Sequence, residues 1–159
     1  MAHLEVSVFI RAEPQRVWDV IADLPGQASW MVDVRRLEIV GEQRGGAGTM
    51  IGVTSTLFGL PLVHDEMLIT TWVPPERYDV EHRGQFTGTG AFVLEPAPGG
   101  TVFRWIEDFK PPLGILGEIG FKLVVGPHMR SVFGRSLANL RRLAEQGGNY
   151  VPAGPAEVD

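Results

Sequence analysis

The sequence predicts an α+β fold, in which a curved antiparallel sheet of about seven strands wraps around a long C-terminal helix and two short helices follow strand 1. Three observations predict it. The stretch 127–146, PHMRSVFGRSLANLRRLAEQ, places Met129, Val132, Phe133, Leu137, Leu140, Leu143 and Ala144 on one continuous helical stripe. Residues 34–110 are strand-like and carry no helical pattern; turn chemistry at 45–46, 59–61, 74–75, 84 and 98–100 cuts them into about six segments of ordinary strand length. A sheet of that size curls strongly, and the terminal helix, roughly 30 Å long at ~1.5 Å per residue, is the element long enough to plug its concave face.

Taken in order, residues 3–12 alternate, with Val6, Val8 and Ile10 on one face against Glu5, Ser7 and Arg11, which predicts a strand; Phe9 breaks the alternation. Pro14–Ala22 resumes at helical period through Val17, Trp18 and Ile21, and Pro14 suits a first helical turn, where its missing N–H costs nothing. A second short helix or turn is expected at 27–31, after Pro25-Gly26. The strand region follows, and the absence of helices between its segments makes the pairing an antiparallel meander. Residues 111–126 are rich in Gly and apolar side chains and read as a mobile, partly helical lead-in to the long helix, which Gly147-Gly148 ends. The expected organisation is one domain over 1–146 and a disordered tail over 147–159, where Gly, Pro and acidic residues show no periodicity.

Composition narrows the function classes. The chain has 159 residues, enough to bury a core without disulfides, and no cysteine, which excludes thiol chemistry and cysteine-ligated metal. A formal charge of -5 without a dominant basic patch argues against nucleic acid as partner. No apolar run approaches the length of a membrane span, and the first residues lack the layout of a signal peptide, so a cytoplasmic location with no integral membrane association is expected. No phosphate-binding glycine loop or nucleophile elbow is present, and no cofactor or metal is expected.

The interior can be read from strand parity. Phe103, Trp105, Glu107 and Phe109 share one face of the last strand, and the aromatic face should meet the helix. Glu107 is then either a carboxylate anchored inside a cavity or a strand-end residue reaching solvent near Lys110. Phe86, Gly88, Gly90, Phe92 and Leu94 line one face of the strand before, and Tyr78, Val80 and His82 one face of its predecessor. Inward glycines either bend the strand or hollow the core. On the strand after Gly59-Leu60-Pro61, alternation sends Asp65 to the face opposite His64 and Glu66. Val63, Met67, Ile69 and Val73 against Leu62, Leu68 and Trp72 leave the inner face undecided, and His64 and Glu66 are taken provisionally as the pocket residues. That alternation, and the lack of a helical His pair, tell against a His/Glu/His metal site. Along the long helix, His128, Met129, Val132, Phe133 and Ser136 should face a cavity, joined by Phe121 from the lead-in, while 137–144 packs a core.

Several stretches in this order resemble the START/birch-pollen-allergen superfamily, its helix-grip fold and its bacterial polyketide cyclase/dehydrase-like branch. They are AEPQRVWDVIADL at 12–24, Trp30, WVPPERY at 72–78, GGTVFRW at 99–105 and the final FGRSLANLRRLAE. The resemblance implies a cavity between sheet and helix. In addition, FGLPL at 58–62 and HRG at 82–84 are similar to the gate and latch loops of the plant abscisic acid receptors, which would give gating roles to Gly59, Leu60, Pro61, His82 and Arg83; an ordinary hairpin turn explains the first of these equally well.

Two readings of function carry most weight. One is a module that binds or transports a small hydrophobic or amphipathic molecule of lipid, isoprenoid or polyketide type, with ligand contacts from Phe86, Phe92, Phe103, Trp105, Glu107, His64, Glu66, Phe121, His128, Met129, Val132, Phe133 and Ser136. The other is a polyketide aromatase/cyclase or related dehydratase, with Glu107, Glu66, His64 or His82 as general base. A protein-interaction role has little specific support. The partner expected is a small hydrophobic ligand, and a homodimer is left open.

Overall fold

Alternation of apolar and polar side chains builds seven strands: β1 (Ala2–Ile10), β2 (Val34–Val40), β3 (Met50–Leu57), β4 (Leu60–Val73), β5 (Arg77–Arg83), β6 (Thr87–Ala97) and β7 (Gly100–Phe109). The computed structural model describes residues 1–84, 87–111 and 113–146, with residues 61–63 described by backbone alone. It joins the strands in one antiparallel sheet of order β1-β7-β6-β5-β4-β3-β2. The six segments of the strand region are the six strands β2 to β7. Strand β1, far away in sequence, closes the row by pairing with β7. The expected tail at 147–159 lies outside the described residues.

Helix α1 (Pro14–Ala22) starts on Pro14 and buries Val17, Trp18, Val20 and Ile21. The second short helix is a 3-10 turn at Pro25–Ser29, two residues earlier than the spacing suggests, because Pro25 itself opens it. The lead-in is helical over more of its length than expected: α2 (Gly114–Gly120), a π-turn at Phe121–Val125 and α3 (Gly126–Glu145) follow one another without a gap. Helix α3 packs along β1 and against α1.

The stripe on α3 is buried as its period requires, with Val132, Phe133, Leu137, Leu140 and Ala144 all in the core and Met129 and Leu143 partly so. Each large apolar side chain hidden this way contributes roughly 1.5–3 kcal/mol. Polar contacts fix where the helix lies. The Arg16 side chain donates from Nε to the carbonyl of Ala144 at 3.3 Å and from Nη2 to that of Gln146 at 3.1 Å, satisfying groups that a helix end leaves open. The Ser136 hydroxyl accepts from the Val32 N–H at 2.9 Å, and Asn139 Nδ2 donates to the Trp30 carbonyl at 3.2 Å. The segment between the 3-10 turn and β2 is thereby pinned to the middle of α3.

Leu140 is fully buried. Leu140→Ala should lower stability by about 2–5 kcal/mol through lost burial and the void left behind. Arg141→Ala, on the exposed face, should stay within about 0.5 kcal/mol. Urea midpoints of the two variants check the difference.

Candidate functional site

The inward faces of β4 to β7 carry the site. Strand β7 buries every second residue, Phe103, Trp105, Glu107 and Phe109 among them, as its parity requires. Glu107 is 7% exposed, so the alternative in which it reaches solvent does not hold. Its partner across the sheet is Gly90 on β6, where a Cβ would come within 2.8 Å of the carboxylate. Gly90 thus makes room for a buried acid. Gly88 serves another purpose, letting its backbone approach the Asp108 carbonyl more closely than a Cβ would permit.

Inside this wall three ionisable side chains are joined. His82, on β5, meets Asp65 Oδ2 through Nδ1 at 2.7 Å and Glu107 Oε2 through Nε2 at 3.1 Å, and Trp105 Nε1 donates to Glu107 Oε1 at 2.7 Å. All three ionisable groups are buried. Burial by itself would push the imidazole towards its neutral form, but the hydrogen bonds to Asp65 and Glu107 and their charges outweigh it, and the pKa rises to about 9. At neutral pH His82 is therefore an imidazolium that donates from both nitrogens. Gly84, next but one along the chain, leaves room for the Asp65 carboxylate, which any Cβ at that position would strike.

Between the sheet's concave face, α2 and the first half of α3 lies a cavity of about 600 Å³. Its lining is almost entirely apolar, and the Asp65, His82 and Glu107 set forms its polar floor. Leu113, Leu116 and Val124 line it and are at the same time largely exposed, so the mouth opens beside the α2 lead-in. Asp33 contributes another carboxylate: its Oδ1 is buried without a hydrogen-bond partner among the described residues, and burial, reinforced by the charge of Glu107, raises its pKa.

Phe92, Trp105, Glu107, Phe121, His128, Met129, Val132 and Phe133 line the cavity, as does His82. Phe86 lies outside the described residues. Phe103 is wholly buried behind Phe92 and lines nothing, and Ser136 spends its hydroxyl on Val32 and on the carbonyl of Val132. His64 and Glu66 require correction: both are exposed on the outer face, and Asp65 and Met67 point inward instead. The reason is a bulge. Between Ile69 and Thr71 the register of β4 on β5 slips by one residue, so Ile69 and Trp72 both face the core despite odd spacing. The same correction removes the His64, Glu66 and His82 set as a metal site, and no metal-holding group of His, Asp and Glu occurs among the described residues.

Phe58 and Gly59 have φ of 51° and 79°, as a two-residue hairpin turn joining β3 to β4 requires. Glycine takes that conformation freely, whereas Phe58 is strained there. Its ring stacks on His128 of α3 at 4.4 Å, which brings the hairpin tip to the helix start beside the mouth. Gly59 and Leu60 are exposed at this tip, and Pro61 lies among the residues described by backbone alone. Arg83 is exposed and paired with Glu81 at 3.2 Å, while His82 belongs to the cavity floor rather than to a surface latch.

Sequence reasoning passes over Asp33, which no periodic pattern marks, and Asp65, because alternation leaves open which face of β4 turns inward.

The sequence profile of the family described as polyketide cyclase/dehydrase and lipid transport matches residues 1–145. A comparison with curated proteins finds no match. Among solved structures, TTHA0849 from Thermus thermophilus is similar at 23% identity and a TM-score of 0.72, over 89% of this chain and 95% of its own. The Aha1 dimer from Colwellia psychrerythraea follows the same fold at 17% identity and a TM-score of 0.65, over 94% and 100%. Ara h 8.0201 does so at 17% identity and a TM-score of 0.64, over 87% and 97%. These likenesses establish the helix-grip fold. Among the described residues no helix is long and apolar enough to cross a membrane.

The raised pKa of His82 links folding to pH. Its stabilising contribution, roughly 3 kcal/mol, is fully present below the ordinary imidazole value of 6.5 and is lost as pH rises through about 9. Denaturation midpoints of the wild type should therefore fall across that window, and those of His82→Gln should not show the fall. Gly90→Val, which drives a side chain into the Glu107 carboxylate, should destabilise by about 2 kcal/mol or more in the same assay.

Proposed function

The chain belongs to the polyketide cyclase/dehydrase and lipid transport family, and from that premise we propose that it binds a small hydrophobic or amphipathic molecule, of lipid, isoprenoid or polyketide type, in the cavity between sheet and α3. The observation that carries this reading is the cavity itself. A void of about 600 Å³ with apolar walls forgoes packing that the fold would otherwise gain, and its size is in the range of small-molecule sites. A ligand would restore those contacts. Its apolar body would lie against Met129, Val132 and Phe133 of α3, and its polar end would reach the floor formed by Asp65, His82 and Glu107. The hairpin tip at Phe58, set against His128, would screen the mouth.

An aromatase or cyclase would need a proton acceptor aimed at a reacting carbon. His82 is a poor one, since as an imidazolium it has no lone pair to offer and both its N–H groups are engaged. Glu107 already accepts from His82 and Trp105, and His64 and Glu66 stand outside the cavity. These features suit a fixed polar anchor better than a base that must move a proton, and binding is the reading they favour.

A neutral fluorescent naphthalene probe should bind the folded protein with a stoichiometry of one. Met129→Trp, which places a bulky ring in the cavity from a partly buried helix position, should weaken that binding at least tenfold without changing the far-ultraviolet spectrum. Equal binding by wild type and variant, or none by the wild type, would overturn the cavity reading.

A further inference from the structure

We propose that the ligand taken by this cavity carries a cationic, hydrogen-bond-donating head, an alkyl- or arylammonium group, which sits between Asp33 and the Glu107 end of the floor. The inference rests on the binding reading above and deepens it by naming the class of ligand head.

It follows from an inventory of donors and acceptors. The strong donors at the floor are already spent: His82 gives both N–H groups to Asp65 and Glu107, Trp105 gives its indole N–H to Glu107, and Gln27 gives its amide to the Ile21 carbonyl. Apart from the Ser55 and Tyr78 hydroxyls, which can donate or accept, what remains is acceptor. Asp33 Oδ1 and Asp65 Oδ1 are both buried with no partner among the described residues, and both residues line the cavity. A polar atom in that position costs free energy until something donates to it.

Charge points the same way. Two acids, Asp65 and Glu107, stand against one His82 imidazolium at the floor, and Asp33 beside them has its pKa raised by burial and by the charge of Glu107, a direction that a nearby cation reverses. Asp33 and Glu107 oppose one another electrostatically, and His128, at the rim, is the ionisable group that acts on Asp33 in the opposite sense. Lys110, the other basic residue of the lining, is exposed at the end of β7. A ligand cation placed between the two acids offsets their repulsion, whereas a carboxylate head adds another negative charge in a poorly solvated space.

The walls are suited to the same head. Tyr78, Phe92 and Phe109 line this end of the cavity, with Phe109 at 5.6 Å from the His82 ring and Tyr78 at 5.3 Å from Phe92. Aromatic faces attract ammonium groups, and more strongly where water is excluded. Carboxylates and rings together recognise an organic cation with an apolar body.

The test is displacement of the neutral naphthalene probe from the full chain, at pH 7 and physiological salt, by decylamine, decanol and decanoate. Decylamine should displace it at a concentration at least tenfold lower than decanoate, with decanol between. Asp33→Asn should cut the advantage of decylamine over decanol at least threefold while leaving decanol unchanged. Glu42→Gln, an exposed change of equal charge outside the cavity, should leave that advantage intact. The inference is overturned if decanoate competes as well as decylamine, if Asp33→Asn leaves the ratio unaltered, or if Glu42→Gln alters it as much. Failure of all three compounds would likewise overturn the inference, while the cavity reading stands or falls separately on probe binding and its loss in Met129→Trp.

Discussion

Trp105 is where the helix, the sheet and the polar floor are tied together. One face of its ring lies on Phe133 of α3 at 3.9 Å, nearly parallel, and its edges meet Trp30 and Phe92 in the core. Its N–H goes to Glu107, the acid that holds His82. A single side chain therefore sets the distance between α3 and the sheet and at the same time fixes the carboxylate that makes a buried imidazolium tolerable. Charge in an apolar interior is stable only when every partner is held in place, and here the aromatic packing does the holding.

Around that point the two halves of α3 do different work. From Leu137 onward the helix lies on a filled core with α1 and β1, and Arg16 ties its end down. Before Ser136 the sheet curls away, so that Met129 and Val132 line a hollow and Phe133 borders it while stacked on Trp105. The hollow is a consequence of geometry: a straight helix cannot follow a strongly curved sheet over its whole length. What closes the gap is chain that presents Leu113, Leu116 and Val124 partly to solvent. The arrangement suits an apolar guest entering at the α2 end, and the acids at the floor would decide which guest stays.

The floor is also where sequence-based reading reached its limit. Glu107 was legible as an inward residue because β7 alternates without interruption for its whole length, and Phe92, Trp105 and the α3 stripe were legible for the same reason. Gly90 stood out, but its use did not: only the pairing with Glu107 across the sheet shows that the missing side chain makes room for an acid. His82 was visible as a candidate, yet its partners sit on strands 17 and 25 positions away in sequence. On β4 alternation leaves the inner face undecided, because the bulge between Ile69 and Thr71 places apolar residues inward at both parities.

The sequence by itself determined the order and type of the elements, the stripe of α3 and the inner faces of the uninterrupted strands, because turn chemistry and periodicity are local and each can be read within a dozen residues. Tertiary structure alone decided that Asp65 rather than His64 and Glu66 faces inward, that His82 is held as a cation between two acids, that Asp33 joins the lining, and that Phe103 and Ser136 lie behind it. These depend on register between strands and on the curvature of the sheet. Both are sums over many distant contacts, and no single stretch of the chain contains them.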